Sequence, residues 1–125
     1  MGRFEQMKKV TTYVPSEIEA AAMQYFAHIK AASKSKGYAE LIRSGLNALA
    51  KNGTSTAKLI SLAFEKHGSG TQFVSAQIDD EEKETLRSLK WTLGFKKIPD
   101  IVCECVILGL IEEKLLDENL KKVTP

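Results

Sequence analysis

Polar and apolar residues alternate in two short stretches of this chain, and between them apolar residues recur at helical spacing. In the first stretch Val10, Thr12 and Val14 alternate with Lys9, Thr11 and Tyr13. Its β-branched and aromatic content predicts a strand that Pro15 ends. Ser16-Glu17-Ile18-Glu19 has the form of a capping box, with the Ser16 hydroxyl accepting from the Glu19 amide. Ile18, Ala22, Tyr25, Phe26 and Ile29 then form one apolar stripe, which predicts a helix to about Ser33, with Gly37 breaking the run. Leu41, Ile42, Leu46, Leu49 and Ala50 predict a second amphipathic helix, ended by Asn52-Gly53. Residues 53–72 form a connector. Thr54-Ser55-Thr56 offers helix caps, Leu59, Ile60, Ala63 and Phe64 make a short apolar face, and Gly68-Ser69-Gly70 closes it as a flexible link.

The order then repeats. Val74, Ala76 and Ile78 alternate with Phe73, Ser75 and Gln77, predicting a second strand. Asp79-Asp80-Glu81-Glu82 opens a helix whose buried stripe is Leu86, Leu89 and Leu93, and Gly94 breaks it. Acids in a first turn are stabilised by the helix dipole, which accounts for this cluster without catalytic chemistry. Pro99, acceptable in a first turn, begins a last helix with Ile101, Val102, Cys105, Val106, Leu108 and Leu110 as its core. Val10, Thr12, Val14 and Ser16 match Val74, Ala76, Ile78 and Asp80 at an offset of 64. Ala22, Tyr25 and Ile29 match Leu86, Leu89 and Leu93 at the same offset, while Glu40-Leu41-Ile42 matches Asp100-Ile101-Val102 at an offset of 60. The four-residue difference, about one helical turn, is expected between the two helices of the first copy. Gly45 and Cys105 hold equivalent small positions, predicting a close helix crossing there.

Composition narrows the classes of function. With 125 residues, 43% hydrophobic and 27% charged, the chain is of ordinary globular make-up. No apolar run opens it, and the longest greasy segment, Ile101 to Ile111, is short and contains Glu104, so a cytoplasmic protein with no membrane segment is expected. Cys103 and Cys105, at i and i+2 of a helix, do not face each other, and His28 and His67 lack ligand spacing to them. Reduced, buried thiols and no metal are expected. Net charge is +2 but unevenly spread: residues 1–62 carry nine Lys/Arg against four acids, and residues 63–125 carry nine against twelve. A basic first half suits a polyanionic partner. No nucleophile–base pairing, phosphate loop or cofactor motif is present, so neither enzyme activity nor a cofactor is expected.

The segments Lys9-Val10-Thr11-Thr12-Tyr13-Val14-Pro15-Ser16-Glu17 and Gly37-Tyr38-Ala39-Glu40-Leu41-Ile42-Arg43 give the chain a family likeness. It resembles the ribbon-helix-helix superfamily of MetJ/Arc-type DNA-binding proteins. Where that family often has serines, this chain has Gly37 and Ala39, and Lys97 and Pro99 in the second copy. The resemblance implies a mainly α fold with one two-stranded antiparallel ribbon. Residues 1–8 would be a flexible arm, 9–52 copy 1, 53–72 a connector with a short helix, 73–116 copy 2 and 117–125 a polar tail. Family members normally dimerise; two copies in one chain imply an intramolecular pseudo-dimer, an architecture similar to that of TraY-type accessory proteins of conjugation.

The resemblance also implies a site. A two-stranded ribbon fits the major groove of DNA. Alternation turns Lys9, Thr11 and Tyr13 outward, and likewise Phe73, Ser75 and Gln77, as candidate base-reading residues. Lys9 would donate to guanine, Gln77 would pair with adenine, Thr11 and Ser75 would serve either, and Tyr13 or Phe73 would touch a thymine methyl. Backbone amides at Gly37, Tyr38 and Ile98, beside Lys34, Lys36, Lys96 and Lys97, are candidate phosphate anchors. The expected partner is double-stranded DNA, with further copies on DNA or a DNA-processing protein as additional partners. The expected function is sequence-specific duplex binding, as a transcriptional regulator or a plasmid transfer or origin accessory. The alternative is a protein-interaction module on the same fold, which Trp91, off the Leu86/Leu89/Leu93 stripe, would serve unless it packs under the connector.

Overall fold

The computed structural model describes residues 8–52, 58–67, 71–117, 119–121 and 123. Their order is β1 (Lys8–Pro15), α1 (Ser16–Ile29), α2 (Lys34–Asn52), α3 (Lys58–His67), β2 (Thr71–Ile78), α4 (Asp80–Leu93) and α5 (Ile98–Glu112). Among the described residues the fold is mainly helical with one two-stranded antiparallel sheet, as the resemblance implies. The arm before Lys8, the caps at Thr54-Ser55-Thr56, the Gly53 cap and the Gly68-Ser69-Gly70 link lie outside the described residues. Among the described residues no helix is long and apolar enough to cross a membrane.

A lone two-stranded ribbon is marginal in water, so β1 and β2 need a covered face. Val10, Thr12 and Val14 from β1 and Val74, Ala76 and Ile78 from β2 supply it, all buried. β2 packs on α2 and β1 on α5, so each strand lies on a helix distant from it in the chain. Thr12 is polar on this inner face, and its hydroxyl donates to the Pro99 carbonyl at 2.8 Å, tying β1 to the start of α5.

Helices α2 and α5 make the most extensive helix pair. A Cβ at Gly45 would overlap the carbonyl oxygen of Cys105, and one at Gly109 would overlap that of Leu41. The two backbones therefore touch, at the expected Gly45/Cys105 position and at Gly109. Helix α5 is buried nearly all round: Cys103, Glu104 and Ile107 lie inside with the expected core residues, while Leu108 is half-buried.

The ends of the elements bring four corrections. Pro15, with φ −59° and ψ 151°, occupies the cap position of α1, which makes Ser16 the first helical residue. The Ser16/Glu19 capping box therefore does not form, and Glu19 instead approaches Lys34 at 3.7 Å. At the equivalent place in the second half the box is complete: Asp79 accepts from the Glu82 amide at 2.7 Å, and Glu82 accepts from the Asp79 amide at 3.0 Å. Second, α1 stops at Ile29, short of Ser33, because Lys30 turns left-handed (φ 54°) and Ala31 N–H closes on the Phe26 carbonyl. Gly94 does the same for α4 at φ 80°.

Third, Gly37 does not break a helix. α2 begins at Lys34, and Gly37 donates its N–H to the Ser33 carbonyl at 3.0 Å. It is glycine because the Phe26 ring occupies the space of a Cβ. The links 30–33 and 94–97 are therefore equally long, and the four additional residues of the first half are the first turn of α2. Fourth, residues 117–125 are not simply a polar tail: Leu120 is fully buried, and Val123 donates its N–H to the Leu115 carbonyl at 3.1 Å. One apolar anchor outweighs a polar average.

Candidate nucleic-acid interface

The outer face of the ribbon carries all six residues that alternation turns outward. Lys9, Tyr13, Phe73 and Gln77 are exposed, and Thr11 and Ser75 are partly so. The register brings them together in pairs: Lys9 opposite Gln77, Thr11 opposite Ser75, Tyr13 opposite Phe73. The last pair meets edge to face, ring centroids 5.4 Å apart at 63°. Each ring remains 54% exposed, so α3 does not cover Phe73. Among the described residues the side chains of Lys9, Thr11, Ser75 and Gln77 make no intramolecular hydrogen bond, which leaves a cation, two hydroxyls and an amide facing solvent.

The phosphate-anchor candidates divide. The amides of Gly37 and Tyr38 are not helix-start donors: Gly37 bonds Ser33, Tyr38 lies a full turn inside α2, and its side chain is buried. The open first turn lies three residues earlier, at Lys34 to Lys36, where the Lys36 N–H is taken by the Ser33 hydroxyl at 3.2 Å. Lys34 is exposed beside Glu19, and Lys36 is exposed with no ion pair among the described residues. Ile98 does open α5, where the helical pattern gives its N–H no acceptor, and Pro99 follows without an N–H. Lys96 and Lys97 are exposed beside it. Lys36 and Gln77 line one shallow groove of about 440 Å³ with Tyr25, Ala39, Glu40 and Arg43, so the start of α2 flanks the Lys9/Gln77 end of the ribbon. The Thr12–Pro99 bond sets the start of α5 on the inner side of β1, one residue from Tyr13.

Behind this face a charged cluster joins the two halves. Arg43 of α2 donates through Nε and Nη2 to the Glu82 carboxylate of α4, and through Nη1 to Glu40. The hydrogen bond from Arg43, with a smaller contribution from the Asp79 amide, holds the Glu82 carboxyl below the usual carboxylate range against its partial burial. Glu104 behaves in the opposite way. It is 3% exposed on α5, and burial raises its carboxyl above the usual range. It accepts from the Ile60 N–H at 3.3 Å, so a side chain from α5 caps the first turn of α3. Helical patterning did not single out Glu104, because its partner is a backbone amide 44 positions away. Burial pushes the Cys103 thiol up to about 12 and raises Cys105 as well, and both cysteines are free.

Trp91 is not packed under the connector. It is 75% exposed on α4, with the Lys90 ammonium 4.5 Å from its ring centre. The chain matches no protein-family model, no curated protein and no solved structure.

Proposed function

We propose that this chain is a sequence-specific double-stranded DNA-binding protein of ribbon-helix-helix type, which inserts the outer face of β1 and β2 into the major groove. The observation that carries this is the register: three cross-strand pairs set six outward side chains in two rows on a two-stranded ribbon. A ribbon of that width fits the major groove, and cations, hydroxyls and amides are the groups that bond base edges there. Lys34, Lys36, Lys96, Lys97 and the Ile98 amide flank it as phosphate contacts. The role is that of a transcriptional regulator or a plasmid transfer or origin accessory, and it involves no catalytic step.

The two halves act as an intramolecular pseudo-dimer. Thr11 pairs with Ser75, its own equivalent at an offset of 64, and Gly45 meets Cys105, its own equivalent at an offset of 60. A residue that meets its own equivalent lies on a twofold axis, as in an isologous dimer interface. These two contacts support one pseudo-twofold axis running through the ribbon and the α2–α5 crossing, with α3 as the covalent bridge.

Duplex binding followed against salt tests the proposal. Affinity should fall with a slope of about −0.9 per neutralised phosphate. Replacing Lys9, Thr11 and Tyr13 together by alanine should leave the melting transition in place and abolish preference for the selected site over random duplex. No duplex shift at low salt, or a triple variant that binds its site normally, overturns it. A protein-binding role on the same fold is the second reading, favoured by the exposure of Trp91.

A further inference from the structure

Antiparallel pairing sets the first outward position of one strand against the last outward position of the other. Two identical copies would therefore give the ribbon two identical ends. This ribbon has two different ones. At one end stand an ammonium and a primary amide, Lys9 and Gln77; at the other stand two aromatic rings, Tyr13 and Phe73, packed on each other and half exposed. The hydroxyl pair Thr11 and Ser75 lies between them.

These ends suit different base edges. An ammonium donates to guanine O6 and N7, and a primary amide can both accept from adenine N6 and donate to its N7. Ring edges and faces instead find apolar contact in the C5 methyl of thymine. The flanks differ in the same sense. Beside Gln77, α2 carries its additional turn, with Lys36 in the groove that Gln77 lines. Beside the aromatic end, α5 opens with Ile98 after Lys96 and Lys97, and its next residue, Pro99, has no N–H to offer.

We propose that the bound duplex is read with a fixed polarity, with guanine or adenine under Lys9 and Gln77 and thymine methyls under Tyr13 and Phe73. This rests on the DNA-binding role above and goes further: the asymmetry runs from end to end of the ribbon, each end drawing on both halves of the chain. The protein then lies on its site in one orientation only.

Selection from random duplexes with the full chain, with K9A/Q77A and with Y13A/F73A tests this, with circular dichroism melts checking that both variants are folded. The unaltered chain should enrich a site with dissimilar ends. K9A/Q77A should lose base preference at the purine end alone, and Y13A/F73A at the thymine end alone. A second measurement leaves the protein untouched. Replacing thymine by uracil at the aromatic end should weaken binding by about fourfold per methyl lost, and the same replacement at the other end should leave affinity unchanged. An inverted-repeat site, equal erosion of both ends by each variant, or indifference to uracil at the aromatic end overturns the polarity while DNA binding stands. No enrichment from any pool overturns the DNA-binding role, and the polarity with it.

Discussion

The Tyr38 hydroxyl is buried with no hydrogen-bond partner among the described residues, while its ring packs edge to face on Phe26 at 4.8 Å. A buried hydroxyl without a partner costs about 1–3 kcal/mol in desolvation. Tyr38→Phe keeps the ring and removes that cost, so it should be neutral or stabilise by about 1 kcal/mol in thermal melts; a clear loss would mean the hydroxyl has a partner in solution. The two notable carboxylates should separate by pH. Glu82 has a lowered folded pKa, so its contribution is present above the ordinary value of 4.5 and is lost as pH falls through the folded value. Glu104 has a raised one, so its contribution is full below 4.5 and is lost as pH rises through the folded value. Glu104→Gln, which keeps an acceptor for Ile60, should therefore stabilise at pH 7 by on the order of 1 kcal/mol, with the gain vanishing toward pH 4. Glu82→Gln should destabilise at pH 7, and by progressively less as pH falls below 4.5. Chemical denaturation as a function of pH reads both. Neither carboxylate's role was legible beforehand beyond the reading of Asp79–Glu82 as acids that open a helix, because burial and a distant amide are tertiary facts.

Among the elements, the strands were the most legible. Alternation separates Val10, Thr12 and Val14 from Lys9, Thr11 and Tyr13, and with a buried inner face a one-residue slip would turn every side chain over. Helix ends were less so. Gly37 resembles a breaker in composition but sits inside α2 to make room for Phe26, whereas Lys30, an unlikely left-handed residue by type, ends α1. Local propensity cannot weigh such contacts. The phosphate anchors inherited that error, which set them one turn too deep at Gly37 and Tyr38. The α2–α5 crossing was legible through the small residues at Gly45 and Cys105 and gives a direct test. Gly45→Ala forces a methyl onto the Cys105 carbonyl, against backbone that cannot rotate away. It should cost about 1–3 kcal/mol, visible as a lower denaturation midpoint, whereas alanine at exposed Asn47, two residues along α2, should change little.

At the scale of the whole molecule, the repeat was visible as two offsets, 64 and 60, but their meaning changes in three dimensions. The equal links 30–33 and 94–97 show that the difference lies in α2, which is 19 residues against 15 in α5. Of the first-half cations, Lys36 and the ion-paired Arg43 line the groove that Gln77 also lines, at the Lys9/Gln77 end of the ribbon. With both strands of the ribbon in one chain, the protein should sediment as a monomer, and an obligate dimer would mean that strands are exchanged between chains. The central claim is that DNA meets the outer face of this ribbon. Amide chemical-shift mapping of the ¹⁵N-labelled chain, titrated with a short duplex pool at low salt, tests it most directly. The account predicts shifts at Lys9 to Tyr13, at Phe73 to Gln77 and at the starts of α2 and α5, all reversed by added salt. Shifts confined to α4 around Trp91, or none at all, would contradict it.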